Sequence, residues 1–82
     1  AVYQIDPGVA RAAQKIVIAA EAGRPFARVH LTLDGEPLAS FDRPPYSALW
    51  QLAPGEHTFT AIGVDAMGER VTSEAVRITV RP

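Results

Sequence analysis

Cysteine is absent from this sequence, which excludes disulfide frameworks and thiolate metal sites without choosing a redox compartment. No run of about 18 apolar residues occurs, so no segment reads as a membrane-spanning helix. Blocks of like charge are missing too. The net charge is −1, and seven of the eight basic residues are arginines scattered along the chain, leaving Lys15 as the one lysine. That pattern lacks the footprint of a nucleic-acid or anionic-membrane surface. Imidazoles are scarce: His30 and His57 are the two histidines. With no His-x-x-x-His step and no Cys pair, they lack the close spacing that a zinc site needs. The expectation is therefore no cofactor, no nucleic-acid partner and no direct membrane insertion.

What is present is a globular composition, 48% hydrophobic and 21% charged over 82 residues. A chain this short buries roughly 60–65% of its unfolded surface, enough for one modest core. The chain starts at Ala1 without Met or a signal peptide. It is read as a single domain, 1–82, taken from a longer protein.

Strand patterning dominates residues 27–80. "ARVHLTL", Ala27 to Leu33, alternates apolar and polar, placing Val29, Leu31 and Leu33 on one face. Asp34-Gly35 supplies residues that tolerate positive φ in a tight hairpin. "PLASF" returns as its partner, and Pro37 makes that partner an edge strand because proline cannot donate to a ladder. "YSALWQL" puts Tyr46, Ala48 and Trp50 on one face and stops at "APGE", where Pro54 and Gly55 carry a type II turn signal. "EHTFTAIGVD" is apolar on both faces near its end and reads as a central strand. "DAMGE" closes another hairpin around Gly68, and "RVTSEAVRITV" completes the chain with Val76, Ile78 and Val80 alternating inward. Turns at this spacing indicate a sandwich or barrel.

Residues 9–22 fit two patterns. Val9, Ala12, Ala13, Ile16, Ala19 and Ala20 recur at helical spacing, and Asp6-Pro7 resembles a helix start. Ile16, Ile18, Ala20 and Ala22 also alternate, and "IVI" is a β-branched run that favours a strand. Periodicity alone leaves both open, with 8–13 a loop or a single helical turn in the strand case.

Candidate chemistry is sparse. Trp50 and Tyr46 could form a stacking platform for a glycan, but their place in an alternating strand points to core packing, with Tyr46 anchoring the loop after two prolines. Asp34, Asp42, Asp65 and Glu69 could be imagined as oxygen ligands for Ca²⁺, which needs six to eight converging oxygens. The competing role for Asp65 is to hold the backbone of its own turn. Ser40, Ser47 and Ser73 lie in neither a Gly-x-Ser-x-Gly elbow nor a Ser-x-x-Lys step, and no Gly-rich phosphate cradle occurs. The pattern points to binding, spacing or docking rather than catalysis.

"VHLTLDGEPLASFDRPPYSALWQLAPGEHTFTAIGVDAMGE", about half the chain, resembles the bacterial immunoglobulin-like domains of envelope and secreted proteins. The matching positions are Asp34, Gly35, Pro45, Tyr46, Trp50, Pro54, Gly55, His57, Phe59, Ala61, Asp65 and Gly68. Together with "VYQIDPGVARAAQKIVIAAEA", the pattern looks like the C-terminal domain of bifunctional penicillin-binding proteins of the 1C type. Those are periplasmic peptidoglycan synthases with a glycosyltransferase and a transpeptidase upstream of this module. The resemblance implies that the segment of Gln14 and Ile16 opens a strand, extending over 14–22. Two features depart from it: no catalytic motif of the family is present, and "FDRPPYS" is closer to generic immunoglobulin-like domains.

The resulting expectation is an all-β, immunoglobulin-like antiparallel β-sandwich of about seven strands. Its core should hold Ile16, Ile18, Val29, Leu31, Leu33, Trp50, Phe59, Ala61, Val76, Ile78 and Val80. The resemblance implies a non-catalytic accessory domain, periplasmic or in the cell envelope. Its partners would be other domains of the parent chain, envelope proteins or peptidoglycan. A glycan-binding module and a structural spacer are the alternatives. The "LASFDR" edge, with Phe41, Asp42, Arg43 and Tyr46, is the candidate contact surface.

Overall fold

The computed structural model describes residues 2–10 and 13–82. Eight strands follow one another: β1 (Val2–Gln4), β2 (Lys15–Ala20), β3 (Arg28–Leu33), β4 (Glu36–Phe41), β5 (Tyr46–Gln51), β6 (Gly55–Val64), β7 (Arg70–Thr72) and β8 (Val76–Arg81). They form a six-stranded sheet in the order β1-β8-β6-β3-β4, with β7 also on β6, and a two-stranded sheet of β2 and β5. The all-β sandwich is as expected. Eight strands among the described residues agree with the expected count of about seven, while β1 runs parallel to β8 where an all-antiparallel fold was anticipated.

Local chemistry accounts for the elements. Residues 15–20 are a strand in an unbroken antiparallel register with β5, so the alternating pattern prevails over the helical one. Burying Ile16 and Ile18 against the other layer rewards the β-branched run more than an isolated helix would. The expected loop or turn over 8–13 falls partly on residues 11 and 12, outside the described residues. Before them, Asp6 accepts the Gly8 amide at 2.8 Å, so the helix-start signature serves a turn instead. Gln14 then ties that turn to β2. Its side chain accepts from the Asp6 amide at 2.7 Å and donates to the Val9 carbonyl at 3.0 Å.

The hairpins obey their turn residues. Asp34 and Gly35 both take positive φ, at 51° and 83°, as a two-residue loop requires. Gly55 and Gly68 sit at φ 115° and 83°. β4 is an edge strand, and β6 is central between β3 and β8. In the β3–β4 ladder the register slips after Leu31, so that Thr32 faces Pro37 and Leu38 is the extra residue of a bulge. The bulge turns Leu38 into the core, where strict alternation placed it outside. The Pro44-Pro45 peptide between β4 and β5 is cis.

Two joined clusters make the interior. Ile5, Trp50, Leu52, Phe59, Ile78 and Val80 fill one end, and Val29, Leu31 and Tyr46 fill the other. Trp50 is 8% exposed and meets Phe59 edge-on at 5.3 Å, joining the small sheet to the large one. Ile16, Ile18, Leu33 and Ala61 are partly buried against these clusters. Val76 is a correction: it was expected inside and is 56% exposed. Its register partner is Phe59, so it shares that residue's inward face, where it lines an open groove beside β2. Ile5 and Leu52 are core residues the expectation lacked: each lies just past the end of its strand, Leu52 continuing the inward face of Tyr46, Ala48 and Trp50.

Two substitutions test this packing. Trp50→Ala should cost about 3–5 kcal/mol in chemical denaturation, since it leaves a cavity between the layers. At Gly63, an added Cβ would lie 2.7 Å from the Phe26 ring. Gly63→Ala should therefore cost about 1–3 kcal/mol by the same measurement, although alanine is the better strand residue.

Candidate functional site

The turn between β3 and β4 organises one end of the sandwich. Asp34 donates its amide to the Thr58 carbonyl and accepts the Thr58 amide on Oδ1, each at 2.8 Å. Its Oδ2 lies 2.9 Å from His57 Nδ1. His57 Nε2 reaches the Ala53 carbonyl at 2.9 Å, and its ring meets Trp50 edge-on at 4.9 Å. The imidazole is thus held on both nitrogens and on one edge. Bonding to the Asp34 carboxylate raises the His57 pKa above its ordinary 6.5, with partial burial opposing the shift. The His57 bond, with the Thr58 amide second, lowers Asp34 below its ordinary 3.8.

This cluster braces the turn and offers no nucleophile. The sequence placed Asp34 in a turn and His57 after another, 23 residues apart, and gave no sign that they meet. Asp65 behaves in a related way. Its Oδ1 accepts the Met67 and Glu69 amides at 2.9 Å each, the backbone-holding role weighed against a Ca²⁺ ligand. Among the described residues, no three His, Asp or Glu side chains gather where they could share a metal ion. His30 pairs across the β3–β4 ladder with Ser40, Nδ1 to Oγ at 2.7 Å.

The four residues of the expected contact edge separate. Asp42 and Arg43 are exposed and interact with each other at 3.5 Å. Phe41 is half-buried and tilts against Tyr46 at 6.4 Å. Tyr46 itself is 7% exposed and packs with Val29 and Leu31, so its ring belongs to the core. The loop carrying Asp42, Arg43, Pro44 and Pro45 forms a shallow depression with Arg28 and Ser40. The burial of Tyr46 and Trp50 together removes the flat exposed surface that a glycan-stacking platform needs.

A second, more apolar groove of about 570 Å³ lies between β2 and residues of β6 and β8, with Tyr3 of β1 also lining it. Tyr3, Ile16, Ile18, Val76 and Ile78 line it, with Glu21 and Glu74 among its polar residues. Sequence reasoning missed this groove because it arises from an unequal number of strands in the two layers.

A sandwich with these turns and a buried central tryptophan defines an immunoglobulin- or fibronectin-type β module. A fibronectin(III)-like module of Clostridium thermocellum CbhA superposes with a TM-score of 0.77 at 26% identity, covering 99% of this chain and 85% of that one. The sequence pattern of the penicillin-binding protein C-terminus family matches residues 1–78, and the chain belongs to that family. No curated protein matches it.

The His57–Asp34 pair makes stability depend on pH with a defined sign. The raised His57 contributes stability that is whole below 6.5 and is lost as pH rises through its folded value. The lowered Asp34 contributes above 3.8 and loses its contribution as pH falls through its folded value. The urea midpoint should therefore be higher near about pH 5.5 than near about pH 8.5, and Asp34→Asn should reduce that difference.

Proposed function

We propose that the chain is a non-catalytic accessory module at the C-terminus of a peptidoglycan synthase, acting in the periplasm or at the cell envelope. It positions the glycosyltransferase and transpeptidase domains of its parent chain or recruits a partner to them. The family match over residues 1–78 carries this reading. The geometry supports it: the rings of Tyr46, Trp50 and Phe59 are buried in the core, and the carboxylates of Asp34 and Asp65 are engaged by backbone amides. What remains for function is surface: sheet edges, turns and the open groove.

The test has two arms. Titrating the chain with muropeptides or chitooligosaccharides should leave the Trp50 emission blue-shifted and unchanged, and a saturable quench would replace this reading with glycan binding. Deleting the module from a parent synthase should leave acylation by a labelled penicillin intact while lowering the yield of crosslinked product. An unchanged yield would reduce the module to a spacer.

A further inference from the structure

The two-stranded sheet is one strand short of covering its partner. Phe59, Ile78 and Val80 on the inward face of the large sheet are only 5%, 5% and 2% exposed, yet Val76 on that face is 56% exposed. The space above it is the apolar groove beside β2. Among the described residues, β2 pairs with β5 and with no other strand.

The free edge of β2 has a definite hydrogen-bonding phase. Leu52 donates its amide to the Gln14 carbonyl, and the β2–β5 register continues that pairing through Ile16↔Trp50 and Ile18↔Ala48. In an antiparallel ladder, hydrogen-bonded pairs alternate along the strand. The N–H and C=O groups of Lys15, Val17 and Ala19 therefore point away from β5, toward the groove side. The edge is lightly guarded: its one charged residue, Lys15, stands at its end. β2 contains no proline and no bulge, whereas β4 carries Pro37 and a bulge at Leu38.

Charge and shape specify the occupant. Lys15 stands at one end of the edge, and Glu21 and Glu74 stand at the other. A second whole copy joined through its own β2 would bring its large sheet onto the same side as the first. There, Tyr3 of β1 and Val76 and Ile78 of β8 already line the groove beside β2, which favours a single extended segment over a second sandwich.

We propose that β2 accepts an extended segment of a partner protein as a third strand, antiparallel to β2. Its β-branched side chains, opposite Ile16, Ile18 and Ala20, enter the groove and cover Val76. A basic residue at its N-terminal end lies beside Glu21 and Glu74, and an acidic residue at its C-terminal end lies beside Lys15. This deepens the accessory reading and rests on it, naming the edge by which a partner is held.

The probe is the peptide acetyl-Arg-Val-Thr-Val-Thr-Val-Glu-amide, titrated into the chain while backbone amide and methyl shifts are followed by NMR. Saturable shifts are expected at Lys15, Val17, Ala19 and Val76, with the charge-swapped peptide binding several-fold more weakly. Val17→Pro removes one outward donor and should weaken binding up to about tenfold. Because that variant could also disturb the strand, Lys15→Glu provides a second check. It should weaken the same peptide, and replacing the terminal Glu of the peptide with Lys should restore the affinity. Shifts confined to β4, tighter binding of the charge-swapped peptide, no binding, or a dimer dispersed by Val17→Pro would each overturn the proposal. A failed titration alongside a synthase still impaired by module deletion would reject this edge while leaving the accessory role standing.

Discussion

The edge-on contact of Trp50 with Phe59 is the interaction on which the rest of the sandwich depends. Two strands alone make a marginal sheet in water. The β2–β5 pair persists because the indole of β5 is buried against the long central strand β6, with Ile5, Leu52, Ile78 and Val80 around it. An aromatic ring provides more packing area than any other side chain a strand can offer. That single anchor lets a two-stranded layer lie on a six-stranded one. It also draws His57 into place, since the imidazole packs against the same ring while bonding to Asp34 and Ala53.

Carboxylates serve the backbone in this protein. Asp6, Asp34 and Asp65 each accept backbone amides within or beside a turn. A short acidic side chain satisfies donors that the ladders leave over, at positions where the chain must reverse. A small domain gains twice from this arrangement: its turns are defined, and amides that would otherwise be orphaned are paired. The same economy explains why acidic residues that looked in the sequence like scattered ligands do not converge. Asp65 holds its own turn, Asp34 bonds to His57 and the Thr58 amide, and Asp42 pairs with its neighbour Arg43.

Much of the fold was legible because its causes are local. Alternation along 27–33 and 56–65, the Asp34-Gly35 turn, the Pro54-Gly55 turn and the edge position of Pro37 all reflect constraints within a few residues. The resemblance that pointed to an immunoglobulin-like module of penicillin-binding proteins was legible for the same reason, since it is built from those turns and from Trp50. Less legible was the choice between helix and strand at 15–20, which depends on a partner strand some thirty residues away. The Leu38 bulge and the burial of Tyr46 likewise reflect neighbours distant in sequence.

By itself the sequence determined the all-β class, the positions of the turns and the inward faces of most strands, because backbone sterics and side-chain alternation act along the chain. Only the tertiary structure decided which strands share a sheet. It joined Asp34 to His57 and made β1 run beside β8 instead of completing the small sheet. It also left Val76 uncovered on a face where its neighbours are buried. The physical reason is that exposure is a property of opposed layers: a strand's own pattern says which side chains turn inward, but only the count of strands on the far side says whether anything is there to meet them.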